Sequence, residues 1–168
     1  MIRKESGASL IELIMVLVIS SLLAAVAAQR LLRDASQSQQ RNAARTALRD
    51  FEYARNQAMI HGKAVKIKID VQENRYSVRW AATGIYLNNP VAGGPFVRQF
   101  GKDAFLHVRI VDTGLPNGEL VFTFTGKPVA ASKALTAITT AIQFNGGHRV
   151  DVMPHTGQLK LIINSAAE

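Results

Sequence analysis

The chain has no cysteine among its 168 residues. That absence removes a disulfide framework, a thiolate metal site and a cysteine nucleophile together. Neither glycine nor proline occurs between Ala8 and His61, so nothing in that stretch interrupts a helix. Acidic residues are scarce, 12 against 20 Lys and Arg, which leaves a formal charge of +8 and a pI near 10.2. Electrostatics therefore favours acidic partners, whether nucleic acid, anionic lipid or the acidic surface of another protein. Catalytic signatures are missing too. No GxSxG, P-loop or GxGxxG pattern is present, and Gly93-Gly94-Pro95 and Gly146-Gly147 read as turns. His61, His107, His148 and His155 are scattered without HxxxH or HExxH spacing. The expectation is a chain that is not an enzyme, with no catalytic residues, no metal ligands and no cofactor.

What is present is a local apolar excess. Hydrophobic residues make up 48% and charged residues 19% of the chain, the composition of a folded domain. The excess concentrates in Leu10 to Ala28, LIELIMVLVISSLLAAVAA, whose only ionisable residue is Glu12. At about 1.5 Å per residue, Ala8 to Ala28 extends about 31 Å as a helix, which matches a hydrocarbon core of about 30 Å. In lipid the backbone must satisfy itself, so a spanning segment of this kind is helical. A secretory signal peptide ending at Ala25-Val26-Ala27 is one alternative, but the run is longer than a usual signal core. An ordinary single-span anchor is another, and it offers no reason for Glu12. An acid within a membrane segment points to function.

A reason comes from the residues around it. Lys4-Glu5-Ser6-Gly7-Ala8-Ser9-Leu10-Ile11-Glu12-Leu13 resembles the prepilin processing site of type IV pilins and type II secretion pseudopilins. The resemblance implies a leader, residues 1–7, removed by prepilin peptidase between Gly7 and Ala8, followed by N-methylation of Ala8. The family usually has phenylalanine where this chain has Ala8. It further implies that Glu12 pairs with the N-terminal amine of a neighbouring subunit during assembly. The span is then retained: a single-pass protein of the bacterial inner membrane, its C-terminal domain periplasmic, later part of a periplasmic or extracellular filament. Implied partners are other pilins or pseudopilins, prepilin peptidase and an inner-membrane assembly platform. Basic flanks point the other way, because Arg30, Arg33, Arg41 and Arg45 outnumber Arg3 and Lys4.

Beyond the span, residues 29–62 form an amphipathic continuation of the helix. Ala44, Ala47, Leu48, Phe51, Ala54 and Ala58 recur at three- and four-residue steps. Arg41, Arg45 and Arg49 fall on another face and read as a solvated surface. Gly62 is the expected C-cap. Residues 63–168 then turn to β patterning. Ala64 to Asp70 and Arg75 to Trp80 alternate as a hairpin around Gln72 to Asn74. Ile85 to Pro95 reads as a loop. Further strands are expected at Phe96–Phe100, Phe105–Val111, Leu120–Thr125, Thr139–Phe144, Arg149–Met153 and Gln158–Ile163, separated by Gly- and Pro-bearing turns. Tyr76 and Trp80 share one strand face and suit core packing better than base stacking.

A long helix followed by antiparallel strands is α+β, with the apolar helix face covering a sheet. Three fragments narrow the resemblance: Ala54-Arg55-Asn56-Gln57-Ala58 before Gly62, Phe122-Thr123-Phe124-Thr125-Gly126-Lys127-Pro128, and Val150-Asp151-Val152 close to Thr156-Gly157-Gln158-Leu159-Lys160. Together they look like the GspH/FimT branch of pseudopilins and minor pilins, which implies the type IV pilin fold and a structural role in type IV pilus biogenesis or type II secretion. Some members of that branch bind DNA through a Gly-Arg-x-Lys/Arg signature. Here Gln158 replaces the arginine, leaving Lys160 and Arg149 as the candidate contacts, so nucleic acid is a possible partner but not the favoured one.

Overall fold

The computed structural model describes residues 10–130 and 133–164. The chain divides into two compact units, Met1–Ser36 and Gln37–Glu168. One helix, α1 (Leu10–His61), supplies residues to both. In the first unit, Leu10–Ala28 is a 19-residue apolar stretch with none of its residues buried within the chain.

The second unit begins with the remainder of α1. Ala43, Ala44, Ala47, Phe51, Ala54 and Ala58 are completely buried there, and Leu48 is partly buried against them. Five of these six buried positions are alanines, so this face brings the helix backbone close to whatever packs on it. Arg41, Arg45 and Arg49 are exposed, as their stripe predicts. The helix stops at Gly62, whose φ of 62° suits a residue without Cβ. Lys63 N–H donates to Ala58 O at 3.2 Å, the six-to-one bond of a Schellman ending.

Ten strands follow: β1 (Val65–Asp70), β2 (Arg75–Trp80), β3 (Val97–Gln99), β4 (Ile110–Asp112), β5 (Glu119–Phe122), β6 (Pro128–Ala130), β7 (Lys133–Ala134), β8 (Thr139–Phe144), β9 (Arg149–Val152) and β10 (Leu159–Ile162). They form two antiparallel sheets, β3-β2-β1-β5-β6-β7 and β10-β9-β8-β4. Val65, Ile67 and Ile69 are buried while the intervening Lys66, Lys68 and Asp70 are not, the one-sided burial that strict alternation implies. Helix stripe and both sheets feed one hydrophobic cluster. A chain of ring contacts runs through it: Phe51 to Tyr76 at 5.3 Å, Tyr76 to Phe100 at 5.7 Å, and Phe100 to Phe144 at 5.0 Å. The helix therefore shares its core with two sheets rather than covering a single one.

Several strand boundaries differ from the expectation. Phe105–Val111 is not a strand throughout. Asp103–Phe105 is a 3₁₀ turn, with Phe105 packed edge-on to Phe100 at 5.3 Å, and only Ile110–Asp112 pairs. Two asparagine side chains take the backbone groups in between. Asn145 accepts from Arg109 N–H and donates to His107 O, each at 2.8 Å. Asn74 accepts from Ile110 N–H at 2.7 Å and donates to Val108 O at 3.0 Å. A side-chain amide carries both donor and acceptor, so it can replace a neighbouring strand. Leu120–Thr125 is shorter than expected. Its strand ends at Phe122, and Thr123 N–H turns back to Lys127 O at 2.9 Å. Two short strands, β6 and β7, lie where none was expected; Pro128 opens β6, a position at which the missing N–H is tolerated.

Candidate functional site

Glu12 sits in the first turn of α1 as described, among exposed Leu10, Ile11, Leu13 and Met15. Among the described residues no cation lies within ion-pair distance of it. Gly7 and Ala8, the expected processing bond and methylation position, lie outside the described residues. An acid on an exposed apolar helix is costly in lipid, by about 2.5–3.5 kcal/mol at mid-membrane and less towards the end. A positive charge about 4 Å away recovers about 4 kcal/mol at an effective dielectric of 20. Helix position, exposure and apolar surroundings thus make Glu12 a carboxylate that gains from an external cation.

Later in the same helix another acid, Asp50, has its cation within the chain. It is 9% exposed and interrupts the alanine stripe between Ala47 and Ala54. Arg98 Nε and Nη2 donate to its Oδ2 at 3.0 and 2.9 Å, and Tyr76 O–H donates to the same oxygen at 2.6 Å. Burial, reinforced by the Asp50 charge, holds the Tyr76 phenol well above its ordinary pKa, so it remains a donor. Tyr76 is thus a core residue, not a stacking platform. Trp80 is partly buried, with His61 edge-on at 5.3 Å. Asp50 and Arg98 did not stand out in sequence reasoning. The available signal was a lone acid within an otherwise apolar helical stripe.

The three sequence fragments that look like the GspH/FimT branch converge at Arg55. Its Nε donates to Gly126 O at 3.2 Å and its Nη2 to Thr156 O at 3.0 Å. One helix residue therefore ties down the Thr123–Lys127 turn and the Met153–Gly157 turn. Gly157 is sterically required, since a Cβ there would lie 2.1 Å from Gly126 O, whereas one on Gly126 would meet the movable Met59 Sδ at 2.7 Å. Both glycines also have positive φ, 67° and 75°.

The histidines remain apart. His61, His107 and His155 are exposed. His148 is 2% exposed, and its Nδ1 accepts from Asn164 N–H at 3.1 Å. Burial, with the Arg41 charge adding to it, lowers its pKa. Among the described residues no group of three His, Asp or Glu side chains is placed to hold a metal ion.

The model of the prokaryotic N-terminal methylation motif matches residues 2–28. The fold is similar to that of the minor pseudopilin EpsH from the type 2 secretion system of Vibrio cholerae, with a TM-score of 0.53 and 12% identity, over 77% of this chain and 99% of that one. A second EpsH structure gives a TM-score of 0.52 over 76% and 97% at the same identity. The type IV minor pilin FimU of Pseudomonas aeruginosa PAO1 is also similar, at 18% identity and a TM-score of 0.49, over 78% and 93%. No curated protein sequence matches the chain. The chain thus joins a prokaryotic N-terminal methylation motif to a fold similar to that of a minor pseudopilin.

The two candidate DNA contacts, Arg149 and Lys160, stand on neighbouring strands with an acid between them. Lys160 is the direct cross-strand partner of Asp151. Arg149 Nε lies 3.2 Å from Asp151 Oδ1, and Thr140 Oγ1 donates to that oxygen at 3.0 Å. Asp151, 6% exposed, partly neutralises Arg149. Arg149 is thus held by Asp151, while Lys160 is exposed beside them.

Proposed function

We propose that this chain is a structural subunit, a minor pilin or pseudopilin, of a type IV filament system serving pilus biogenesis or type II secretion. The observation that carries this is the methylation motif over residues 2–28 on a chain whose fold is that of a minor pseudopilin. In this reading residues 1–7 are a leader cut by prepilin peptidase after Gly7, and Ala8 becomes the methylated N-terminus. Residues 8–28 hold the chain in the bacterial inner membrane and later line the filament core, residues 29–62 continue the helix, and residues 63–168 form the periplasmic domain. Glu12 sets the stagger between subunits by pairing with a neighbour's N-terminal amine. Desolvation strengthens that pairing, because low dielectric raises the attraction between charges.

Intact mass of the protein purified from its membrane tests the processing step. The expected mature chain starts at Ala8 and carries one methyl group; a chain that starts at Ala28 or Gln29 is a cleaved signal-peptide product and sinks the proposal. Incorporation of Glu12→Ala tests the assembly step. The variant is expected to be processed and membrane-embedded yet largely excluded from filaments, and wild-type incorporation refutes the pairing.

A further inference from the structure

The outer face of the six-stranded sheet carries an unbalanced set of charges. The β1–β2 register places Lys66 opposite Arg79, Lys68 opposite Ser77 and Asp70 opposite Arg75, all on the side away from buried Val65, Ile67 and Ile69. Lys66 and Arg79 are like charges in direct cross-strand register, an unfavourable pairing without an intervening anion. Glu119 serves the two lysines, at 3.7 Å from Lys66 Nζ and 3.3 Å from Lys68 Nζ. Asp70 is engaged with the turn, where its Oδ1 accepts from Glu73 N–H at 2.9 Å. Among the described residues the two arginines have no ion pair.

Arg79 is also held in place. Its guanidinium lies 4.1 Å from the Tyr86 ring centroid and donates through Nη2 to the Tyr86 hydroxyl. Its Nε, shielded from solvent, has no hydrogen-bond partner, and it is the only such side-chain nitrogen or oxygen among the described residues. Arg79 borders a hollow of about 70 Å³ lined also by Lys68, Asp70, Arg75, Ser77 and Tyr86, with Val97 at its side.

We infer that this face docks an acidic segment of a different protein chain, one of whose Asp or Glu carboxylates enters the hollow and accepts from Arg79 and Arg75. The hollow admits one small anionic group rather than a base or sugar. Asp70 and Glu119 on the same face repel a continuous polyphosphate but suit a protein surface of mixed charge. The occupant is a different chain because copies of this one, at a formal +8, repel each other. The partner's identity as a neighbouring filament subunit rests on the proposed function; the anion site itself does not.

The full chain, ¹⁵N-labelled in an uncharged detergent at low salt, is titrated with acetylated, amidated tetraglutamate while the arginine Nε–H resonances are followed. The Arg79 signal is expected to shift saturably, and tetraglutamine is expected to leave it unchanged. Arg79→Gln should weaken tetraglutamate binding about tenfold, as loss of a charge-assisted bond does, while Arg45→Gln on the helix leaves it intact. Arg75→Gln, an exposed position, should also weaken binding, and it decides the matter if Arg79→Gln does not fold. Equal affinity in the sheet and helix variants overturns the assignment, and so does displacement of the peptide by duplex DNA at matched charge. If the peptide fails to bind while Glu12→Ala is still excluded from filaments, only the docking inference falls. If the peptide binds but Glu12→Ala incorporates normally, the filament assembly reading falls instead.

Discussion

Two acids on one helix meet opposite circumstances. Glu12 stands on Leu10–Ala28, where every residue faces outward and no described residue offers it a cation. Asp50 stands on the alanine-lined stretch, where Arg98 and Tyr76 close around it at 2.6–3.0 Å. Both interrupt apolar patterning, and both need a cation. For Asp50 the chain supplies its own, and the result is a pinned core. For Glu12 no described residue supplies one, which is the circumstance the proposed assembly role calls for. An acid in an apolar helix is therefore read by where its counter-charge comes from.

The comparison breaks first at Asp50. Asp50→Ala leaves the Arg98 cation and the Tyr76 hydroxyl without their acceptor, and it is expected to cost about 3–5 kcal/mol, nearer the lower end because Arg98 keeps some solvent. Chemical denaturation of the full chain, followed through the single Trp80, measures this. A loss below about 1 kcal/mol is the scale of an exposed pair and removes the contrast. Arg55→Ala should cost about 2–3 kcal/mol, from two charge-assisted bonds to carbonyls. Arg55→Lys should recover only part of that, because an ammonium cannot serve both turns with the geometry of a guanidinium.

A smaller effect is expected from pH. His148 has a folded pKa below its ordinary 6.5, from burial first and the Arg41 charge second. The unfolded chain then takes up the proton first. Stability is complete above about pH 6.5 and declines as pH falls through the folded value. Protonation of Nδ1 also ends its acceptance of the Asn164 N–H. His148→Gln should flatten the stability slope between about pH 7 and 5; an unchanged slope assigns it to other groups. The smallest effect on folding belongs to Glu12. Glu12→Ala should leave the denaturation midpoint of the Gln37–Glu168 unit unchanged while incorporation collapses. A shifted midpoint shows that this acid, too, has a partner in its own chain.

Much of this molecule is legible in its sequence. The absence of Gly and Pro through His61, and Gly62 after it, predicted the helix and its end, because these residues act on the backbone locally. Strands β1, β2 and β8 follow from alternation or apolar runs of adequate length, and the apolar run with its lone acid singled out Glu12. Segment 107–109 departs from the expected strand because the side chains of Asn74 and Asn145, distant in sequence, take backbone groups there. Phe122-Thr123-Phe124-Thr125 alternates like a strand, yet Phe124 is 63% exposed in a turn. The Arg55 clamp was visible only as three separate fragments.

The sequence by itself determined the helix, its membrane-length apolar segment, the isolated acid and the β character of the remainder. Each of these depends on neighbours within a few residues, through backbone freedom and side-chain period. Only the tertiary structure decided that there are two sheets, that Arg98 answers Asp50, and that Arg55 holds two glycine turns. It also decided that Arg79 faces a hollow with its Nε unpaired. Those outcomes depend on groups brought together across many tens of residues, where hydrogen bonds and desolvation act over a few ångströms and sequence distance carries no energy.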